Sequence, residues 1–400
     1  MTDLNPFLRR ITADVSAGVR AARALLLGRT PGDGRYAIVL YRTFGAEGRV
    51  HVRGRVVKDD ALAPASRDHS RWQNFVAMAR RIESDPLAYA AVRLSIGSTS
   101  VDVTADDDGF FNAGVIIANP ERFDDEWIVT RAELPDSAAR GQAVSAIGRA
   151  LVPVRRPEML IVSDVDDTVL QSNATNLLEA FRTMLLENAR TRLPFPGVAA
   201  FYRALRRGPG GSATNPIFYV SSSPWNLYDV ITEFLDAQGI PAGPVMLRDV
   251  DLGLDVLASR HHHVHKREVV RRVLETYPGI PAILVGDSGQ QDPEIYRDVV
   301  REFQGRIKAV YIRNVTNDAE RAGAIRRLAD EVLAAGSSLV LADDTMAAAR
   351  HAAEHGWIAE DALAEISDDK RADEGTSPGK KDAPGARDAG DEHPPTAVVE

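Results

Sequence analysis

Leu4, Phe7, Leu8, Ile11, Val15, Val19, Ala22, Leu25 and Leu26 recur at three- and four-residue spacing, the apolar stripe of an amphipathic helix over residues 1–29. Thr30-Pro31-Gly32-Asp33-Gly34 ends it, and beyond that point apolar and polar positions alternate with the period of a strand. The alternation predicts strands over 35–41, 50–57, 91–94, 100–104 and 110–117, with Asp107-Asp108-Gly109 as a hairpin turn. A helical spacing over 71–82 interrupts them. Residues 31–150 therefore read as a small β-sandwich domain.

The second half has a different texture. Met159-Leu160-Ile161-Val162 is a continuous apolar run, as expected of a strand covered on both faces. Similar short runs stand at 216–220, 245–248, 281–285, 307–312 and 338–342. Between them helical spacing covers 176–192, 198–207, 226–238, 268–276 and 345–354. Strands alternating with helices predict an α/β domain with a parallel sheet over 151–366. From about Ser367 the periodicity stops, and residues 367–400 carry nine acidic and five basic groups among Pro, Gly and Ala. That composition predicts a disordered tail.

Composition narrows the partners. A net charge of −9 argues against a general affinity for nucleic acid. Residues 1–29 run against that trend, because five arginines oppose two aspartates. Two outcomes stay open for this helix: adsorption to anionic lipid, or packing on the next domain with its arginines in water. No apolar run reaches membrane-spanning length, and cysteine is absent, which excludes disulfides and thiolate chemistry. Cytoplasmic placement, peripheral at the membrane through residues 1–29, is the resulting expectation.

The candidate chemistry sits where apolar runs end. Asp164 and Asp166 follow the 159–162 run two residues apart, so a persisting extended backbone points both carboxylates the same way. Such a pair repels itself unless a cation lies between, and a hard, oxygen-seeking ion such as Mg²⁺ suits it. Ser221-Ser222-Ser223 ends the 216–220 run, where hydroxyls and amides can donate to a phosphoryl oxygen. Asp287 ends the 281–285 run within Gly286-Asp287-Ser288-Gly289, whose glycines permit a tight turn, and Asp292 follows about a turn later. Lys266 is a point cation able to hold an anion near two aspartates. His261-His262-His263-Val264-His265 invites a metal reading, but a loop framing the pocket is the expectation, since no further ligand group stands at suitable spacing. Asp106-Asp107-Asp108 lacks the ligand spacing of a calcium loop and reads as a solvated turn, and Asp343-Asp344 as a helix cap.

Asp-x-Asp-x-Thr, a strand-tip serine, a lysine and Gly-Asp-x-x-x-x-Asp, in this order, resemble the haloacid dehalogenase-like phosphatase superfamily. Ser221-Ser222-Ser223-Pro224-Trp225-Asn226, His265-Lys266 and Asp292-Pro293-Glu294-Ile295-Tyr296 are more closely similar to the actin-patch phosphatidate phosphatase family, by way of its bacterial relatives. Asp167 replaces the glycine usual in the superfamily, and that family also carries an acidic residue there. Tyr41-Arg42 and Val52-Arg53-Gly54-Arg55-Val56 resemble its N-terminal region.

The resemblance implies a Rossmann-like haloacid dehalogenase-type parallel sheet and Mg²⁺-dependent hydrolysis of a phosphomonoester. Asp164 would be the nucleophile and Asp166 the general acid and base. Ser221 and Lys266 would bind the phosphoryl oxygens. Asp164, the Asp166 carbonyl and Asp287 would hold the metal, with Asp292 in support. Phosphatidate is the implied substrate, with a soluble phosphomonoester or a non-catalytic adaptor role as the alternatives.

Overall fold

The computed structural model describes residues 35–59, 86–117, 125–135, 143–165, 196–248, 258–316, 318–375 and 398–399. The helices expected over 1–29, 71–82 and 176–192 lie outside these residues, as do Asp166, Asp167 and Thr168.

The first half forms an eight-stranded, largely antiparallel sheet: β1 (Arg35–Leu40), β2 (Thr43–Ala46), β3 (Arg49–Asp59), β4 (Ala91–Ile96), β5 (Thr99–Thr104), β6 (Phe110–Ile116), β7 (Trp127–Glu133) and β8 (Ser145–Leu151). β3 pairs with β1 and β6, while β8, β7, β4 and β5 follow one another. β2 joins the two halves by pairing antiparallel with β3 and parallel with β8. Inward residues of both halves, among them Val50, Val52, Leu94, Phe111, Ile128 and Ala150, share one core. β2, β7 and β8 escape the alternation rule. β8 (Ser-Ala-Ile-Gly-Arg-Ala-Leu) leaves Ile147 64% exposed and buries little but alanine along its first six residues.

The second half is a parallel sheet in the order β11-β10-β9-β12-β13-β14, made of β9 (Leu160–Asp164), β10 (Ile217–Pro224), β11 (Val245–Arg248), β12 (Ala282–Asp287), β13 (Ile307–Arg313) and β14 (Ser338–Ala342). Renumbered from β9 this is 3-2-1-4-5-6, a doubly wound order whose switch point falls between β9 and β12. The continuous apolar runs are explained by cover on both faces. Ile161, Ile217, Tyr219 and Ile283 pack under α1 (Val198–Arg207), α2 (Tyr228–Ala237) and α6 (Thr345–Glu354). Leu160, Val162, Phe218 and Leu284 pack under α3 (Ala258–Thr276), α4 (Asp292–Glu302) and α5 (Ala319–Ala334). Each fully buried Leu, Ile or Val contributes about 1.5–3 kcal/mol, so these strands hold much of the burial energy of the described residues.

Two expectations need correction. The histidine run is not a loop: positions 261–265 lie within the 19-residue α3. Structure also continues past Ser367, as α7 (Ala362–Gly375), and Val398–Val399 pairs with β14. α7 sends Ala362 and Ile366 of its first turns into the core, and polar groups dock the rest, so no apolar stripe runs its length. Asp369 and Asp373 accept the backbone N–H groups of Ala200 and Gly197 at the start of α1, and Lys370 pairs with Asp344.

The two sheets are joined by the corner between β1 and β2. Arg42 forms a bidentate ion pair with Asp236, and its backbone N–H donates to the Tyr228 hydroxyl. Phe44 meets Phe218 edge-on at 5.2 Å, while the Tyr277 hydroxyl donates to the Gly45 carbonyl. No described helix is long and apolar enough to cross a membrane.

Candidate active site

Parallel pairing brings the ends of β10, β9 and β12 side by side. Val220 aligns with Asp164, and Val285 with Ser163, so Ser221, Asp164 and Asp287 stand at the C-terminal tips of three neighbouring strands. Ligands bind at this edge, next to the switch point, in open α/β sheets. Lys266 enters from the third turn of α3, and its ammonium lies 2.7 Å from Asp164 Oδ1 and 2.8 Å from Asp292 Oδ1. It also donates to Gln290 Oε1 at 3.0 Å. Lys266 and Asp292 are 2% and 0% exposed, so their charges interact with little solvent screening.

Asp292 is locked in place. Its second oxygen accepts the Asp287 backbone N–H at 3.1 Å. The tight approach accounts for Gly286, where a Cβ would stand 2.5 Å from Asp292 Oδ2 and 2.8 Å from the Tyr296 ring. Neither Gly286 nor Gly289 takes a positive φ, so no left-handed backbone calls for them. Asp287 in turn accepts the N–H groups of Gly289 and Gln290 at 2.8 and 3.3 Å.

Carboxylate oxygens of Asp164, Asp287 and Asp292 lie within 4.8 Å of one another, all buried. One lysine cannot balance three carboxylates, and the surplus of two negative charges fits a divalent cation with oxygen preference. The strain registers on Asp287: burial and then the nearby Asp292 raise its pKa, against the opposing pull of Arg313, the Gly289 N–H and Lys266. In the metal-free protein the folded state therefore keeps a proton that the unfolded state has already released. Stability of the chelated protein should rise as pH falls from neutral through this raised value, down to the ordinary carboxylate range. Melting curves in EDTA test this, with Asp287→Asn expected to flatten the profile; identical wild-type and variant profiles would refute it.

Ser221 is fully buried, and its hydroxyl donates to Ser223 Oγ at 2.7 Å while accepting the Ser223 N–H at 3.0 Å. The β10–β11 register slips between Val220 and Pro224, giving the tip an irregular backbone. Trp225, immediately after, is held from the other sheet by Tyr41 at 4.4 Å and by the Arg53 guanidinium 4.6 Å above its ring.

The structure thus brings Asp164, Lys266, Asp287 and Asp292 into one cluster and sets Ser221 on the adjacent strand tip; Asp166 lies outside the described residues. The acidic turn behaves as expected, with Asp106 accepting the N–H groups of Asp108 and Phe110. Asp344 caps α6 by accepting the Ala347 N–H, whereas Asp343 holds Asn314.

Sequence reasoning missed Gln290 and Arg321. Arg321, from α5, donates to the carbonyls of Ser288 and Gln290 and pairs with Glu294, so it pins the loop carrying Asp287. No local pattern announces an arginine acting from 30 residues away; the Asp-Pro-Glu run marked only its partner. Arg321→Ala is expected to lower turnover by up to about 10²-fold, the scale of a mispositioned reactive group, with the cooperative melt retained. Unchanged kinetics would remove Arg321 from the site.

Among solved structures, a carbohydrate acetylesterase from Xanthomonas citri overlaps 77% of this chain and 68% of its own at 11% identity and a TM-score of 0.29, too slight to bear on fold or chemistry. Phosphatidate phosphatase APP1 of Saccharomyces cerevisiae is 28% identical over 158 residues, 39% of this chain and 26% of that protein. An uncharacterised protein of Schizosaccharomyces pombe is 26% identical over 192 residues, 47% of this chain and 30% of its own. The chain thus spans less than a third of the length of either relative. Residues 159–314, the stretch that contains the whole described cluster, match the family model of the phosphatidate phosphatase APP1 catalytic domain.

Proposed function

We propose that the chain is a Mg²⁺-dependent phosphatase of haloacid dehalogenase-like type that hydrolyses a phosphomonoester through an aspartyl-phosphate, with phosphatidate, giving diacylglycerol, as substrate. The observation that carries the reading is the buried cluster of Asp164, Asp287 and Asp292 around Lys266 at the tips of adjacent parallel strands. Phosphoryl transfer asks for positioning and charge neutralisation, and these groups supply both.

In this reading the Asp164 carboxylate forms a bond to phosphorus as the ester oxygen leaves, taking a proton from Asp166. Asp166 then removes a proton from water, which attacks the same phosphorus and releases phosphate and free Asp164. Lys266 and Ser221 hold the phosphoryl oxygens. Asp164, Asp287 and the Asp166 carbonyl would hold Mg²⁺, which when bound neutralises charge between carboxylates and phosphoryl group. Asp292 orients Lys266 and the Asp287 backbone. Activity should vanish in EDTA and return with Mg²⁺, while zinc should substitute poorly at an all-oxygen site. A rate indifferent to chelation would contradict the metal role.

Phosphatidate enters through the name of the yeast relative and the catalytic-domain match. Peripheral contact of residues 1–29 with anionic lipid belongs to the same proposal. Phosphate release from phosphatidate in mixed micelles, beside a panel of sugar phosphates, nucleotides and phosphopeptides, tests the substrate. A higher kcat/KM for a soluble compound would replace the lipid and keep the phosphatase. No release from any compound with Mg²⁺ present would favour a non-catalytic adaptor.

A further inference from the structure

We propose that the Gln290 side chain is a placeholder for a phosphoryl oxygen on Lys266, displaced when the substrate enters; the inference rests on the phosphatase reading. Three described acceptors meet the Lys266 ammonium, and they differ in kind. Asp164 and Asp292 are carboxylates at 2.7 and 2.8 Å, whereas Gln290 offers a neutral amide oxygen at 3.0 Å. An anionic oxygen adds to the hydrogen bond a Coulomb attraction for the buried ammonium that a neutral amide oxygen lacks, so it competes best for the amide's place. Asp292 cannot yield, being fully buried and tied through its other oxygen to the Asp287 N–H.

Gln290 is also the partner able to move. It is half-buried and follows the exposed Gly289, so its side chain reaches inward from the rim to a lysine that is 2% exposed. Its backbone stays fixed during the exchange, because the carbonyl is held by Arg321 and the N–H by Asp287 Oδ1. Rotation of one side chain then opens the lysine to an anion. Water filling the vacated place is untethered and is expelled more readily than an amide anchored beside it. The device keeps the buried ammonium satisfied between turnovers and favours a dianionic phosphoryl group over weaker acceptors.

The test is calorimetric binding of inorganic phosphate to the full chain at saturating Mg²⁺, for wild type, Gln290→Ala and Gln290→Glu. Removing the competitor should tighten phosphate binding about three- to tenfold, the worth of one net hydrogen bond. Gln290→Glu, which places a competing carboxylate there, should weaken it tenfold or more. Opposite signs for the two variants support the placeholder. Weaker or unchanged binding by Gln290→Ala, with an unaltered melting curve, would overturn it and leave the phosphatase reading intact. Absence of phosphate binding by wild type would overturn both.

Discussion

Asp164→Asn is expected to reduce phosphate release by about 10⁴-fold or more, the scale on which loss of a covalent nucleophile acts, in a protein that still melts cooperatively. The side chain ends a strand whose Leu160, Ile161 and Val162 are fully buried, so an isosteric amide leaves the packing unchanged. What changes is the chemistry. An amide does not attack phosphorus, and the cluster loses one of the three carboxylates that balance a divalent cation. Asp166→Asn should cost about 10²–10⁴-fold, the usual size of a general acid contribution. Kinetics on both purified variants, beside their melting curves, check the ranking. Wild-type turnover by Asp164→Asn would remove the nucleophile from the account.

Lys266→Met should have the largest effect on stability. It leaves Asp164 and Asp292 buried without their shared cation, and breaking such a pair from one side costs about 3–5 kcal/mol. The loss should be fullest in EDTA, where nothing else offsets the three carboxylates. Mg²⁺ should then restore more stability to the variant than it adds to wild type, because binding to the folded state alone stabilises it by mass action and the more negative site binds the cation more tightly. Urea denaturation midpoints with EDTA and with Mg²⁺ measure both increments. Equal midpoints for wild type and variant in EDTA would show that Lys266 is not the cation of the cluster.

Much of this was legible from the chain. Buried strands announce themselves as unbroken apolar runs, so β9 to β14 stood out, and Asp164, Ser221 and Asp287 were conspicuous as polar residues closing such runs. β7 and β8 were not, because Val129 and Ile147 are exposed and Ala146 and Ala150 give little contrast. α7 was hidden for a related reason: its buried apolar residues stop at Ile366, and beyond it Asp369, Lys370 and Asp373 act on distant partners, a polar docking that leaves no period in the sequence. The histidine run misled because composition was read without its helical setting. Gln290 and Arg321 owe their places to folding alone, which brings the side chain of one and the guanidinium of the other onto Lys266 and the Asp287 loop.

The central claim is that Asp164 carries the phosphoryl group. Acid quenching of the enzyme during turnover of phosphatidate bearing radiophosphate, followed by peptide mapping, tests it most directly. The account predicts hydroxylamine-labile label on the peptide containing Asp164, and none in Asp164→Asn. Steady turnover without protein-bound label in the wild type, or label on another residue, would contradict it.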